Sequence, residues 1–310
     1  MNPTEVRPQI ILVTGASRGI GAEVATRLAD AKRHVIVNYR EKARRANEVV
    51  EAVRAAGGNA STAEADLCDE PAVVAMLEDI KRRFGRLDIL VLNASGGLER
   101  DADPCYAMRL NRDAQARLAR VAVPLMPPGG RIVFVTSHQA HFHGHKPVPA
   151  EYLPVAVSKR AGEDAMREMR ATFEPKQIAL VVVSGDMIDG TSTVRLLERW
   201  NPDAVAARRA VAPLPTVSEF ASAIVRATQE PDQDRETIYV GGLGACCVTG
   251  WPGERMHDEG TPRQHQTAYG RTRIKGPCGA RREGAGRCAN RPTPPSNRLL
   301  FRCPSWAAPW

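Results

Sequence analysis

The chain has 310 residues, a formal net charge of +8 and 43% hydrophobic residues. This length allows a substantial buried core, and no apolar stretch approaches the roughly 20 residues of a membrane-spanning helix. Residues 1–9 also lack the apolar region of a secretory signal. We therefore expect a soluble, cytoplasmic protein that neither crosses nor binds a membrane.

Charge and composition divide the chain into two parts. Residues 1–243 carry 32 Lys and Arg against 31 Asp and Glu, whereas residues 244–310 carry 11 against 4. The second part has 17 Gly and Pro among 67 residues and only four branched aliphatic side chains, which is too little apolar surface for a core. We predict a folded domain over 1–243 and a disordered basic tail over 244–310, whose composition is also typical of a shifted reading frame.

Apolar, β-branched runs alternate with helical patterns throughout the first part. Seven strands are predicted, at residues 10–13, 34–38, 60–65, 89–92, 131–136, 178–183 and 237–240. The helical patterns cover residues 22–31, 40–56, the segment after Asp69, 104–125, 154–173 and 216–228. This alternation predicts a three-layer α/β Rossmann fold with a doubly wound parallel sheet of about seven strands. Ligands of such a sheet bind at the carboxyl ends of the strands.

A glycine-rich turn joins the first strand to the first helix. It reads Val-Thr-Gly-Ala-Ser-Arg-Gly-Ile-Gly over residues 13–21. Glycines allow a sharp turn and a close approach of backbone N–H groups, and a helix N-terminus attracts a phosphate. The turn therefore predicts a pyrophosphate site. The alternative is that these glycines serve only the turn and its packing.

The segment Thr14-Gly15-x3-Gly19-x-Gly21 after an N-terminal strand resembles the short-chain dehydrogenase/reductase family. The likeness extends over about residues 9–243 and includes Leu92-Asn93-Ala94-Ser95, a partial match to the family's Asn-Asn-Ala-Gly segment. Within the family, the chain resembles 3-oxoacyl-(acyl carrier protein) reductases. The resemblance implies a dinucleotide bound by Gly15, Ser17, Arg18, Gly19, Ile20, Gly21, Asn38, Arg40, Asp66, Leu67, Asn93, Ala94, Gly96, Lys159, Ile188 and Thr191.

The end of the second predicted strand favours NADP(H) over NAD(H). An acidic residue there would bind the ribose 2′-hydroxyl and repel a 2′-phosphate. This chain instead has Asn38, with Arg40 just after it and Arg18 in the glycine turn. Guanidinium groups bind phosphate through paired hydrogen bonds. The alternative is that both arginines are solvated surface charges.

The resemblance also implies a reaction centre. Ser137 occupies the position of the family serine that binds the carbonyl, and Asn111 that of the asparagine in its proton relay. Lys159 corresponds to the lysine that holds the nicotinamide ribose and lowers the pKa of a catalytic tyrosine. The family places that tyrosine four residues earlier, where this chain has Val155, so the proton donor is displaced or lost.

Tyr152 is the candidate for the displaced proton donor. It lies seven residues before Lys159, and Pro154 favours a helix that begins just after it. We expect Tyr152 to lie before the helix, with its hydroxyl folded back toward Lys159. The alternative is a tyrosine that only packs against the loop, in a catalytically impaired dinucleotide-binding regulatory or sensor protein.

Four histidines fall within residues 138–145. Because no acidic or cysteine partner is near them, we predict no metal site and interpret the segment as a substrate-lining loop. His138, next to Ser137, is the histidine most suited to binding or protonating a substrate.

These features predict an NADP(H)-dependent oxidoreductase that interconverts a ketone and a secondary alcohol. Its substrate would be a small carbonyl or alcohol, or an acyl group on an acidic carrier. We predict a substrate lid over residues 193–210. Its four arginines suit such a carrier unless they form a solvated helix face: Arg195, Arg199, Arg208 and Arg209. The resemblance also implies a homodimer or homotetramer. Nucleic-acid binding through the tail is a third, less favoured function, because the tail's cysteines lack the Cys-x-x-Cys spacing of a zinc module.

Overall fold

The structure is a computed structural model that describes residues 7–98, 103, 105–229 and 237–242. Seven strands form one parallel sheet in the order β3-β2-β1-β4-β5-β6-β7. They are β1 (Gln9–Val13), β2 (Arg33–Tyr39), β3 (Asn59–Glu64), β4 (Ile89–Leu92), β5 (Arg131–Ser137), β6 (Ala179–Gly185) and β7 (Thr237–Val240). The predicted doubly wound α/β sheet is confirmed. The tail and its boundary at residue 243 lie outside the described residues.

Helices connect successive strands, as parallel pairing requires. They are α1 (Gly19–Arg27), α2 (Ala43–Ala55), α3 (Glu70–Phe84), α4 (Tyr106–Met108), α5 (Gln115–Ala122), α6 (His138–His141), α7 (Leu153–Glu168), α8 (Arg170–Phe173), α9 (Ser192–Trp200), α10 (Pro202–Val211) and α11 (Val217–Gln229). Short 3₁₀ turns span Val123–Leu125, Ala150–Tyr152 and Glu174–Lys176. Among the described residues, no helix has the length and apolarity needed to cross a lipid bilayer.

The core lies on both faces of the sheet. Successive side chains of a strand point to opposite faces, and in β1 the buried Ile10 and Leu12 join one apolar cluster while Ile11 and Val13 join another. The first cluster includes residues of α3 and α5, and the second includes residues of α1, α2 and α11. The fold therefore has three layers.

The helix predicted over residues 104–125 is interrupted. A π-helical segment, Arg109–Ala114, lies between α4 and α5. Asn111 is in this segment and is 1% exposed, with its side chain bonded to other elements. The wider turn thus coincides with a buried polar residue at the carboxyl edge of the sheet.

Candidate active site

The predicted glycine turn lies between β1 and α1. Gly15 has a φ of +59°, and a Cβ atom there would lie 3.0 Å from Cα of Ala94, so a side chain would strain the turn. Arg18 is the exposed N-cap residue of α1, and its side chain makes no capping hydrogen bond. The first turn of α1, which contains Gly19, Ile20 and Gly21, has no acidic residue. This end of α1 therefore offers N–H donors and the positive end of a helix dipole, which fits a pyrophosphate.

Asn38 is 2% exposed and holds the glycine turn from β2. Its Oδ1 atom accepts a hydrogen bond from the Gly15 N–H at 3.2 Å. Its Nδ2 atom donates to the carbonyls of Ala63 and Ala65 at 3.3 and 3.2 Å. The amide is thus engaged with backbone groups and positions the turn, while direct contact with a cofactor stays a prediction.

The two predicted phosphate-binding arginines and the predicted adenine contacts lie at the ends of neighbouring elements. Arg40 donates to the Tyr106 hydroxyl at 2.9 Å and pairs with Glu41 at 2.8 Å, with its side chain about half exposed. Because Arg18 is exposed and Arg40 is half exposed, both arginines remain accessible to an anion.

The predicted adenine contacts follow β3. Asp66 accepts a hydrogen bond from the Cys68 N–H at 2.8 Å, and Leu67 is 4% exposed.

Thr14 joins the glycine turn to the segment after β4. Its hydroxyl accepts from the N–H groups of Asn93 and Ala94 at 2.9 and 3.0 Å, and Asn93 Nδ2 donates to the Thr14 carbonyl at 3.0 Å. The sequence pattern placed Thr14 in the motif but gave it no role. A threonine directly after the first strand and directly before the first glycine of the turn is the sequence signal for this role.

Asn111 links this segment to α7. Its Oδ1 accepts from the Gly96 N–H at 3.2 Å, and its Nδ2 donates to the Gly96 carbonyl and to Ser158 Oγ, both at 2.9 Å. Ser158, which directly precedes Lys159, was not among the predicted site residues. Asn111 thus fixes both the post-β4 segment and the part of α7 that carries the lysine.

Ser137 and Tyr152 meet in a buried contact. The Tyr152 hydroxyl donates to Ser137 Oγ at 3.1 Å, and the two residues are 6% and 9% exposed. As expected from Pro154, Tyr152 ends a 3₁₀ turn and α7 begins at the next residue. Burial raises the pKa of Tyr152, and the hydrogen bond to Ser137 lowers it in part.

Lys159 lies on α7 two turns after Tyr152 and is partly buried. Burial lowers the pKa of its ammonium group to about 8. Val155, at the position of the family tyrosine, is 3% exposed in an apolar cluster with Tyr152, Ala156 and Val194. Tyr152, just before α7, therefore contacts Ser137 directly, and Lys159 lies two turns further along on α7.

His138 differs from its prediction as a substrate-binding or proton-donating group. It is 0% exposed at the start of α6, and its Nδ1 atom lies 2.9 Å from Ser184 Oγ. Burial lowers its pKa to about 4, so the imidazole is neutral near pH 7. His141 contacts the Glu163 carboxylate at 2.9 Å and the Tyr239 hydroxyl at 2.8 Å. The two histidines thus have different hydrogen-bond partners, although both rings pack against Phe142 and Tyr239.

The segment after β6 carries the remaining predicted contacts. Ile188 is 6% exposed, and Thr191 caps α9 by accepting from the Val194 N–H at 3.3 Å. Two of the four lid arginines are ion-paired, while their contact with a carrier stays a prediction. Arg208 is buried against Asp186, with its Nε 2.9 Å from the carboxylate, and Arg209 pairs with Asp189 and Glu198.

A model of the short chain dehydrogenase family matches residues 9–202. The chain belongs to this family. It is 35% identical over 197 residues to 1-cyclohexenylcarbonyl-CoA reductase of Streptomyces collinus, covering 61% of this chain and 68% of that protein. It is 38% identical over 176 residues to hydroxynaphthalene reductase arp2 of Aspergillus fumigatus, covering 54% and 62%. The matched segment thus spans about two thirds of these relatives.

Solved structures of this family share the fold. The angucycline C-6 ketoreductase LanV with bound NADP has a TM-score of 0.65 and 27% identity, covering 77% of this chain and 96% of LanV. A short chain dehydrogenase from Burkholderia cenocepacia J2315 in complex with NADP has a TM-score of 0.65 and 26% identity, covering 78% and 99%. The likeness to these structures extends over nearly their whole length.

Proposed function

We propose that this protein is an NADP(H)-dependent oxidoreductase that interconverts a ketone and a secondary alcohol. The observation that carries the proposal is the buried hydrogen bond from the Tyr152 hydroxyl to Ser137 Oγ at 3.1 Å. It supplies a tyrosine beside the serine even though Val155 occupies the usual tyrosine position.

In the proposed reaction, Ser137 binds the carbonyl oxygen and Tyr152 donates a proton to it. When bound, NADPH supplies the hydride that reduces the carbonyl carbon. The hydride forms the new C–H bond as the carbonyl π bond breaks. The Tyr152 O–H bond breaks as its proton forms the new O–H bond, which neutralises the charge on the substrate oxygen and leaves a tyrosinate. A charged Lys159 would lower the pKa of Tyr152 and so oppose the effect of its burial.

The proposed cofactor site follows the carboxyl edge of the sheet. The turn from Gly15 through Ser17 to Gly21 and the start of α1 bind the pyrophosphate, and Arg18 and Arg40 receive the 2′-phosphate. Asp66 and Leu67 contact the adenine. The groups proposed for the riboses and nicotinamide are Asn93, Ala94, Gly96, Lys159, Ile188 and Thr191. The NADP bound in LanV and in the Burkholderia dehydrogenase supports NADP(H) as the cofactor.

The proposed substrate is a cyclic or fused-ring ketone. Tyr152 belongs to an apolar cluster with Val194 and Leu197 of α9, and Leu98 and Met187 pack against it. Relatives named for reducing hydroxynaphthalene, versicolorin and an angucycline support this class. A carrier-bound acyl group has less support, because the ion pairs of Arg208 and Arg209 engage two of the four lid arginines.

We further propose that residues 1–243 form the catalytic domain and that the protein assembles as a homodimer or homotetramer. All proposed site residues lie before residue 192, which supports the domain assignment. Light scattering of the purified chain would give its molar mass, and a monomer at assay concentration would contradict the assembly.

The decisive experiment follows NADPH oxidation with a panel of cyclic ketones and 3-oxoacyl thioesters. We expect Tyr152→Phe to lose about 10²- to 10⁴-fold in kcat, because the proton donor is removed, while NADPH affinity measured by fluorescence is retained. Tyr239→Phe is the control, because its hydroxyl contacts His141 and not Ser137. Equal rates for Tyr152→Phe and wild type would contradict the proposed donor. NADPH binding without turnover of any ketone would favour the regulatory or sensor function.

A further inference from the structure

Gln115 carries a buried polar atom that the proposed chemistry leaves unused. It is the first residue of α5, directly after the π-helical segment, and is 2% exposed. Its Nε2 atom donates to the Ala94 carbonyl at 2.8 Å. Its Oε1 atom is buried and has no hydrogen-bond partner in the described part of the chain. A buried acceptor without a donor lowers the free energy of unfolding, which suggests that this oxygen has a donor in the functional state.

Gln115 lines the same small cavity as Lys159. The other lining residues are Leu92, Ala94, Asn111, Phe134 and Val135. Within the described residues, the Lys159 ammonium forms no ion pair, and burial alone accounts for its lowered pKa. The nearest titratable residue before it is Tyr152, two turns earlier, and the described residues that line the cavity include no other charged side chain. The cavity thus contains one unused acceptor and one unpaired cation.

We propose that Gln115 is a positioning residue whose Oε1 atom accepts a hydrogen bond from the Lys159 ammonium in the working enzyme. This inference rests on the proposed function, because Lys159 acts there on the proton donor. A hydrogen bond from a charged donor is stronger than one between neutral groups. It would offset the desolvation of Lys159, keep the lysine charged and orient it for Tyr152 and the cofactor ribose.

Two substitutions separate this role from a structural one. Gln115→Met and Gln115→Glu both remove the N–H donor to the Ala94 carbonyl, so they share any effect of loosening that segment. Only Gln115→Glu keeps an acceptor oxygen for Lys159, with added negative charge. A positioning role therefore predicts opposite shifts in the pKa of Lys159, whereas a structural role predicts effects common to both variants.

The measurement is the pH dependence of Lys159 labelling by an amine-reactive reagent, quantified by mass spectrometry. We expect Gln115→Met to lower the pKa of Lys159 by about one unit, because the hydrogen bond that favours the charged lysine is lost. We expect Gln115→Glu to raise this pKa, because a carboxylate stabilises the ammonium group more than an amide does. The alkaline limb of the kcat profile should move in the same directions. Unchanged labelling in both variants, or shifts of one sign, would overturn the proposal.

Labelling needs no turnover, so the two proposals can fail separately. If wild-type protein reduces no ketone but the labelling shifts are opposite, the Gln115–Lys159 contact stands and the proposed reaction fails. If ketones are reduced and labelling is unchanged, the reaction stands and the contact fails. NADPH affinity measured on the same samples shows whether each variant retains a folded cofactor site.

Discussion

At the scale of single residues, the Asn38 side-chain amide holds the glycine turn in place through both of its polar atoms. Its donor atom binds the Ala63 and Ala65 carbonyls and its acceptor binds the Gly15 N–H. In Asn38→Asp, a carboxylate oxygen would face two carbonyls. We expect the free energy of unfolding, measured with urea, to fall by about 1–3 kcal/mol.

The control for Asn38→Asp is Arg40→Ala, at a half-exposed side chain. It should weaken NADPH binding more than NADH binding and leave the unfolding free energy nearly unchanged, because the proposed 2′-phosphate contact is lost. If Asn38→Asp instead keeps wild-type stability and gains affinity for NADH, then Asn38 faces the cofactor ribose, as the sequence predicts.

The position of Tyr152 before α7 was predictable from the sequence, but its hydrogen bond to Ser137 was not. Proline geometry correctly placed Tyr152 just before α7, because the ring of Pro154 is compatible with the first helical turn. The bond to Ser137 depends on how β5 and the 3₁₀ turn pack together, which no local pattern reports. The same limit applies to His138: its position next to Ser137 did not indicate that its ring would be buried and bonded to Ser184, 46 residues away.

At the scale of elements, the close approach of α7 to the π-helical segment shapes the candidate site. A Cβ atom on Gly162 would lie 2.2 Å from the Asn111 carbonyl oxygen. Gly162→Ala must therefore shift α7 or the segment that carries Asn111. We expect a loss of about 1–3 kcal/mol in unfolding free energy, as for other overpacked sites, and reduced NADPH affinity.

Glu168→Ala is the matched control for Gly162→Ala, because Glu168 is exposed on the same helix. It should leave both unfolding and NADPH binding close to wild type. Alanine favours a helix by about 1 kcal/mol over glycine. A more stable Gly162→Ala variant would therefore mean that α7 does not approach Asn111 so closely in solution.

Strands and long helices were predictable, and short or irregular turns were not. The second strand was predicted at residues 34–38 and spans Arg33–Tyr39. The prediction succeeded because a continuous β-branched apolar run is typical of a strand that is buried on both faces of a sheet. Residues 138–141 were predicted as loop but form the four-residue α6, which is too short for a helical period to appear. The π-helical segment escaped prediction because apolar spacing does not distinguish i+4 from i+5 bonding over one turn.

At the scale of the whole molecule, the partly buried His34 and the buried His138 make folding depend on pH. His34 on β2 lies near Arg83 and Arg54, and its pKa is lowered to about 4 first by burial and then by these charges. Burial likewise lowers the pKa of His138 to about 4. The two side chains bond to the hydroxyls of Ser61 and Ser184 respectively, which the neutral rings allow. Both rings must therefore gain protons more readily in the unfolded chain than in the folded one.

The sign of the resulting pH dependence follows from proton binding. Between pH 6.5 and 4 the unfolded chain binds more protons at these histidines than the folded chain, so the unfolding free energy falls as the pH falls through this window. The shift of His138 alone corresponds to on the order of 3 kcal/mol. We expect urea midpoints measured from pH 7.5 to 4.5 to decrease accordingly, and the double variant His34→Gln/His138→Gln to show a shallower decrease. Glu163 does not produce this slope. His141 and Arg167 lower its pKa despite its burial, so its contribution to the unfolding free energy is lost only at pH values below the ordinary range of a glutamate. A slope unchanged by the double variant would mean that both histidines titrate in the folded protein as they do in the unfolded chain.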